Sequence, residues 1–487
     1  MTWFLYAMYI TELMSIWQVF AIGSFGLPPA EFVMILFLLL YVPYRYVWLG
    51  KPLRVPNNAQ LGMMVALLAS MLFVGIGPLI DGYQTMSLQS IKTLAHFGFI
   101  WAFAAIVLCS DVSVEQWRSV LRLHLSIGMA VCLYGLYQIP ARTMDLPLAW
   151  LEITNAGFKA HVENEPELGQ LALRFAEFYR ATSIFPEPSA LGSYAANLVF
   201  LNVIPWARSG TGFLKTSWAR VTSVVLALLA LFAAFSMTGI LLLCVGSAFV
   251  LLRYRKKLFG TLGVIVLVFA VGLPIIDSYI NWHFNVSVLE LFAVRIESIF
   301  SGEAFENVGG GVDGESANMR ADDFTIAYKM WLENPLFGVG PGNTEHSFFA
   351  RNHNTITMSN VYAGTLAEYG PITLFVLLCM YGINMATAYW YERRWTVLGG
   401  RERNPQLDDL IACLPVAAAL VIFVGLTGNQ LISASYWLRY LPVLAGIELV
   451  RRALGTSTIV EIYLVRRPWR AILNASQPET PLHGSNH

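Results

Sequence analysis

The strongest constraint on this chain is the recurrence of apolar runs of about 20 residues, the length at which a helix crosses a bilayer core. Such runs fall at roughly 3–25, 31–49, 60–80, 91–109, 118–139, 189–206, 221–237, 238–253, 259–279, 361–391, 409–427 and 430–450. A spanning segment must satisfy its backbone hydrogen bonds internally, and these runs are too long for barrel strands. The expected fold is therefore an all-α polytopic membrane protein with about twelve transmembrane helices. Charged residues make up only 13% of the chain, against about 25% in an average soluble domain, and the formal net charge is zero. That balance gives no basic signal for nucleic acid. The stretch 221–253 is divided at Ser236-Met237-Thr238-Gly239, the alternative being one long broken helix. The first run has no basic region and small-residue cleavage site around it, so it reads as a retained helix and not a cleaved signal.

Lys and Arg in short loops set orientation. Basic clusters lie at Arg45, Lys51 and Arg54; at Arg208, Lys215 and Arg220; at Arg253, Arg255, Lys256 and Lys257; at Arg393, Arg394, Arg401 and Arg403; and at Arg451, Arg452, Arg466, Arg467 and Arg470. With twelve spans and both termini inside, every cluster falls on the inner side. The expected organisation is then spans one to five in 1–139, an outer loop over 140–188, spans six to nine in 189–279, a large outer loop over 280–360, spans ten to twelve in 361–450, and an inner tail over 451–487.

Long polar loops without a core of their own are usually functional or disordered. In the first loop, Leu168, Leu171, Phe175, Phe178 and Tyr179 share one face at helical spacing, which predicts an amphipathic helix ending at Arg180. Such a helix suits either the interface plane or a cap over the bundle. In the second loop a helix is expected over about 318–333, with Arg320, Phe324, Ala327, Tyr328 and Trp331 on one face and Pro335 beyond its end. Gly338, Gly340 and Gly342 follow and permit turns with positive φ. The Gly309-Gly310-Gly311 run lacks a strand before it and a helix after it, so it does not read as a nucleotide-binding loop. The tail after 471 reads as disordered.

The five cysteines form no CxxC pair and fall in or beside apolar runs, as small buried residues do. No metal-ligand spacing stands out, and a pair of His346 and His353 is a weak metal candidate. What remains outside the membrane is arginine with histidine. Arginine offers a permanently charged fork matched to phosphate oxygens. Histidine exchanges a proton near neutral pH. Together they suit a reaction in which a phosphate-linked group leaves and a hydroxyl attacks, although loop arginines and histidines are more often solvated surface groups. Glu12, His96, Glu368 and Arg439 fall within apolar runs, where ionisable groups default to functional candidates. A transporter would use such groups near the midplane.

Three segments resemble one family. WLENPLFGVGPGN from Trp331, a His-Asn pair and then LAEYGPI are similar to the signature region of the bacterial O-antigen ligase and Wzy-type polymerase superfamily. FYRATSIFPEPSALGSY resembles that family's upstream outer-loop motif, and FSMTGILLL resembles its "SxTGxL" helix start. The resemblance covers most of the chain. It implies a GT-C-like membrane glycosyltransferase with two long periplasmic loops in the bacterial inner membrane, acting on glycans carried by undecaprenyl diphosphate. The acceptor would be another such glycan or lipid A-core, and a chain-length regulator or flippase would be a partner. No cofactor is implied. The diphosphate-binding arginines map to Arg180 and Arg320. The family histidine maps to His353, followed by Asn354, although at the family's usual spacing from the LxExG element this chain has Ser359 and Asn360, and His346 is the alternative. Glu368 is a further candidate proton acceptor, and Gly338, Gly340, His346, Asn354 and Asn360 would line the substrate loop.

Overall fold

A computed structural model describes residues 1–22, 25–80, 84–155, 170, 174–175, 178–254, scattered positions between 271 and 293, and residues 315–347, 358, 360–428 and 431–464. The described chain is almost entirely helical. Eight of its helices are long and apolar enough to cross a membrane, so the all-α polytopic expectation holds. In chain order these are α2 (Pro29–Trp48), α3 (Ala59–Ile80), α4 (Thr85–Cys109), α5 (Val114–Thr143), α6 (Pro188–Ser209), α8 (Met237–Tyr254), α10 (Val361–Val397) and α11 (Pro405–Val424). Three further helices join them: α1 (Thr2–Glu12), the shorter apolar α7 (Ser217–Ala233) and α12 (Ala434–Ala453). The run expected at 259–279 lies mostly outside the described residues.

Starts are set by local chemistry. Asn58, Ser113, Thr216, Asn360, Asn404 and Ser433 each accept a backbone N–H from the first turn of the following helix. Each such cap stabilises its helix by about 1 kcal/mol. The helix pair expected within 221–253 does break, between Ala233 and Met237, with Phe235 at φ 48°. The first apolar run differs from expectation. It is not one helix: α1 ends at Glu12, and the later part forms an antiparallel hairpin in which Phe20 faces Leu27 and Ile22 faces Phe25. Hydropathy reads both forms alike. What stops the helix is tertiary, because Glu12 is 3 % exposed and its Oε1 meets Arg439 Nε of α12 at 3.1 Å.

One continuous core joins α1 to α8 with α10, α11 and α12. Where α6 crosses α8 the backbones nearly touch, since a Cβ on Gly239 would lie 2.9 Å from the Gly192 Cα. Small residues allow such close approach between membrane helices. At the end of the bundle carrying the basic clusters, buried ion pairs tie the helices together. Arg208 of α6 reaches both oxygens of Asp408 on α11, at 2.9 and 2.6 Å, and also Glu392 on α10. Glu392 in turn accepts from Arg253 of α8 at 2.7 Å, and Asp409 from Arg118 of α5 at 2.6 Å. A two-stranded strap, Leu53–Pro56 paired with Ile459–Ile462, closes this end, with Asp111 bridging Arg54 and Arg452. The basic loop before α3 and the segment after α12 therefore share one side of the bundle, as their charge requires.

Candidate functional site

The opposite end of the bundle carries two polar assemblies. The first is built around Arg142, near the end of α5. Its guanidinium is buried and donates to Ala149 O (3.0 Å), Arg180 O (2.5 Å), Gln170 Oε1 (2.8 Å) and Thr182 Oγ1 (2.6 Å), while its face stacks 4.2 Å from the Trp150 ring centre. Gln170, also buried, donates to Ser183 O and Phe185 O at 2.8 Å each. These bonds decide the local structure. Where periodicity predicts an amphipathic helix, Arg174–Phe175 instead pairs antiparallel with Phe178–Tyr179. The polar ties of Gln170 and of the Arg180 carbonyl hold the segment as a hairpin, overriding its helical spacing; Leu168 and Leu171 lie outside the described residues.

Arg180 is only 5% exposed. Its Nε donates to Ala234 O at 3.0 Å and its Nη2 to Phe235 O at 2.9 Å, and the next residue, Ala181, donates its N–H to Ala233 O at 3.0 Å. The arginine thus sits at the C-terminal end of α7, where orphan carbonyls carry partial negative charge. Immediately beyond, α8 begins at Met237, and Ser236 Oγ accepts from Gly239 N at 3.3 Å. This is the FSMTGILLL segment. The N-terminus of α6 reaches the same place, because a Cβ on Gly192 would lie 2.6 Å from the Ser236 Cβ. Two helix N-termini thus converge beside the guanidinium that caps the C-terminal end of α7. Positive φ at Phe235 and the role of Arg142 have no clear signature in the sequence. Arginine at the end of a long apolar helix was the one available signal.

The second assembly begins with α9 (Glu315–Glu333). Arg320 lies on this helix; its side chain is outside the described residues. The face shared by Phe324, Ala327, Tyr328 and Trp331 is only partly buried. Asp323, Ala327 and Met330 point inward, while Phe324 and Tyr328 are exposed. Asp323 accounts for this, since its Oδ2 accepts from Asn360 Nδ2 at 3.2 Å. Asn360 also caps α10, accepting from Ala363 N at 2.7 Å. The residue that stands at the family's usual histidine-asparagine spacing therefore joins two helices. His353 and Asn354 lie outside the described residues.

Between the helices runs the glycine turn. Gly338, Gly340 and Gly342 all have positive φ, at 65°, 92° and 69°. Val339 N and Gly340 N donate to Ala367 O and Glu368 O at 2.9 and 3.0 Å. The Glu368 carboxylate accepts from Gly342 N at 2.9 Å and from Thr344 Oγ1 at 2.6 Å. Asn343 Nδ2 donates to Ser90 Oγ of α4 at 2.8 Å. His346 closes a short 3-10 turn, Thr344–His346, and is half-buried. These carbonyls are open to the turn because α10 kinks at Gly370, with φ 69° just before Pro371. Gly340 tolerates no side chain: a Cβ would stand 2.3 Å from Pro78 Cγ. Gly340→Ala is expected to cost about 2–4 kcal/mol from left-handed strain and overpacking together, seen as a lowered melting temperature of the detergent-solubilised protein.

Glu12, His96 and Arg439, the other charges within apolar runs, are engaged with partners. His96 Nε2 lies 2.9 Å from Glu31 Oε1, and Glu12 pairs with Arg439.

A multi-pass helical bundle with polar turns clasped at one end, opposite its basic loops, is the class that this geometry defines. Residues 222–378 match the Wzy_C family model, described as O-antigen ligase. Over this segment the chain is similar to the O-antigen ligase and Wzy-type superfamily, whose members are glycosyl-transferring membrane proteins. The match covers less than half of the 487 residues. It takes in most of α7, then α8, α9, the glycine turn and Glu368, and it leaves Arg180 outside. No curated protein matches the chain.

Proposed function

We propose that the chain is a glycosyltransferase that polymerises undecaprenyl-diphosphate-linked oligosaccharide units, of O-antigen or exopolysaccharide type, at the periplasmic face of the bacterial inner membrane, with both termini cytoplasmic. The observation that carries this reading is the family match across the segment that holds Arg320, the glycine turn, His353 and Glu368. The cluster of Arg180 with the α6 and α8 N-termini supports it, because a diphosphate is the anion such a locality suits.

In the proposed reaction the acceptor hydroxyl attacks the anomeric carbon of the donor sugar. The bond from that carbon to the diphosphate oxygen breaks, and undecaprenyl diphosphate departs with the negative charge. Direct displacement inverts the anomeric centre. Arg180 and Arg320 stabilise the charge growing on the leaving group without a metal. Arg180 is fixed by two carbonyls, so it reorganises little as that charge develops, which is the condition under which electrostatic stabilisation is largest. His353 accepts the hydroxyl proton, with His346 as the alternative. Glu368 serves as a positioning residue, since both of its oxygens hold the turn.

Ligation to lipid A-core is the second reading, favoured by the description of the matched family. The paired state of Glu12 with Arg439 and of His96 with Glu31 supports an enzyme over a transporter that would use those charges. The deciding experiment supplies purified protein with lipid-diphosphate glycan, with and without lipid A-core. Polymer in both reactions marks a polymerase, and product only with lipid A-core marks a ligase. In the same assay Arg180→Lys and Arg320→Lys keep charge but lose the fork, and each is expected to lower the rate roughly 10–100-fold. Unchanged output from both variants would end the diphosphate-clamp idea.

A further inference from the structure

The surface of α9 divides into three sectors. Asp323, Ala327 and Met330 form the face packed on α10, with Ala363 and Ala367 opposite. A second sector is polar and exposed and includes Asp322, Thr325 and Lys329. The third is apolar and half exposed: Phe324, Tyr328 and Leu332 recur every fourth residue, and Leu336 follows beyond the helix end. A helix with separate apolar and polar exposed sectors is what a water–lipid boundary selects.

The structure also shows what the apolar sector adjoins. Beside Leu336, Phe337 packs on Phe73 of α3 with ring centres 5.5 Å apart, and it abuts Gly77. Around that contact Phe73, Ile76, Leu79 and Ile80 are exposed on α3, an apolar helix long enough to span a membrane. The stripe on α9 is thus continuous with the apolar outer surface of a spanning helix. Tyr328 and Trp331 pack at 5.5 Å between ring centres, and Trp331 Nε1 donates to Pro335 O at 2.7 Å. Tyr and Trp of this kind prefer the headgroup region.

We propose that α9 is an interfacial helix, with Phe324, Tyr328, Leu332 and Leu336 seated in the lipid leaflet opposite the basic loops. The partner is the lipid surface itself. Seating the stripe fixes the depth of Arg320 and of the glycine turn relative to the headgroups, which is where a lipid-linked diphosphate resides. The inference rests on the spanning bundle and the exposed surface of α9, and it stands whether or not the transfer reaction is as proposed.

The test uses the full chain in lipid nanodiscs. Cys244 is exposed and Cys379 partly exposed, so both are replaced by serine, while the buried Cys109, Cys132 and Cys413 stay. Single nitroxide labels are then placed by Phe324→Cys, Tyr328→Cys and Leu332→Cys in the stripe, and by Asp322→Cys and Thr325→Cys in the polar sector. All five positions are exposed, so the packed face is untouched. The ratio of oxygen to nickel-chelate accessibility is expected to be several-fold higher in the stripe than in the polar sector. Equal water accessibility in both sectors overturns the proposal. So does shielding of the stripe from both reagents, which would mean that protein covers it, either another segment or a second copy. The readout needs no enzymatic activity, so a failed transfer assay leaves it intact.

Discussion

Alanine at position 368 is expected to free the glycine turn and lower transfer roughly 100-fold, while glutamine loses only part of that. The Glu368 carboxylate accepts from Gly342 N and Thr344 Oγ1 while 7 % exposed. Hydrogen bonds to a charged group contribute about 1.5–3 kcal/mol each, and alanine leaves the Gly342 N–H without its acceptor. Glutamine keeps one carbonyl oxygen and so keeps one of the two bonds. Hydrogen exchange over 336–347 separates the two possible roles. A positioning residue gives faster exchange in Glu368→Ala and an intermediate rate in Glu368→Gln, in step with activity. A proton acceptor would give two equally inactive variants with exchange unchanged.

The second large effect is expected at Arg142, which takes no part in the proposed chemistry. Four acceptors converge on its guanidinium, from Ala149, Arg180, Gln170 and Thr182. Lysine offers a point charge on a flexible stem and cannot reproduce that fork. Arg142→Lys is expected to destabilise the segment that follows α5 by about 3 kcal/mol or more, since several bonds to a buried charge are lost together. Limited proteolysis reads this as new cleavage between 145 and 187. Transfer should fall with it, because the Arg180 carbonyl is one of the four anchors. Activity and protease resistance both near wild type would show that the anchors are redundant.

The bundle was legible in the sequence because a bilayer imposes a length and a polarity that survive any rearrangement of contacts. The break at Ser236 and the helix under Arg320 were legible too, one from a polar interruption and the other from spacing and a proline. The first apolar run was not, since a hairpin through Phe20 and Leu27 has the hydropathy of a helix and only Arg439, far along the chain, reveals that Glu12 is a buried terminus. Periodicity at 168–179 misled because Gln170 and the backbone of Arg180 are claimed by Arg142, a tertiary demand with no local trace. On α9 the spacing was read correctly, but which residues face inward was not legible. Asp323 is buried because Asn360 satisfies it, and a polar residue with a distant partner looks like surface in one dimension. For the candidate site, residue types were legible and commitments were not. Arginine and glutamate are visible in a sequence; that Arg180 already holds two carbonyls and Glu368 a turn is visible only in three dimensions.

The strap that pairs Leu53–Pro56 with Ile459–Ile462 bears on how such a chain is made. Arg54 and Glu461 meet although 407 positions separate them in the chain. A helical bundle inserted in order from its amino end can settle most neighbouring pairs as each hairpin emerges, but this clasp waits for the last helix to be delivered. Contacts of such separation are slow to form because the loop they close is long. Until then the loop before α3 lacks its partner strand, and Asp111 lacks the second of its two arginines. Closure of this end of the bundle is thereby tied to delivery of α12 and the strand after it, and a ribosome stalled before α12 would leave a nascent chain distinguishable from the finished bundle by its unlatched strand.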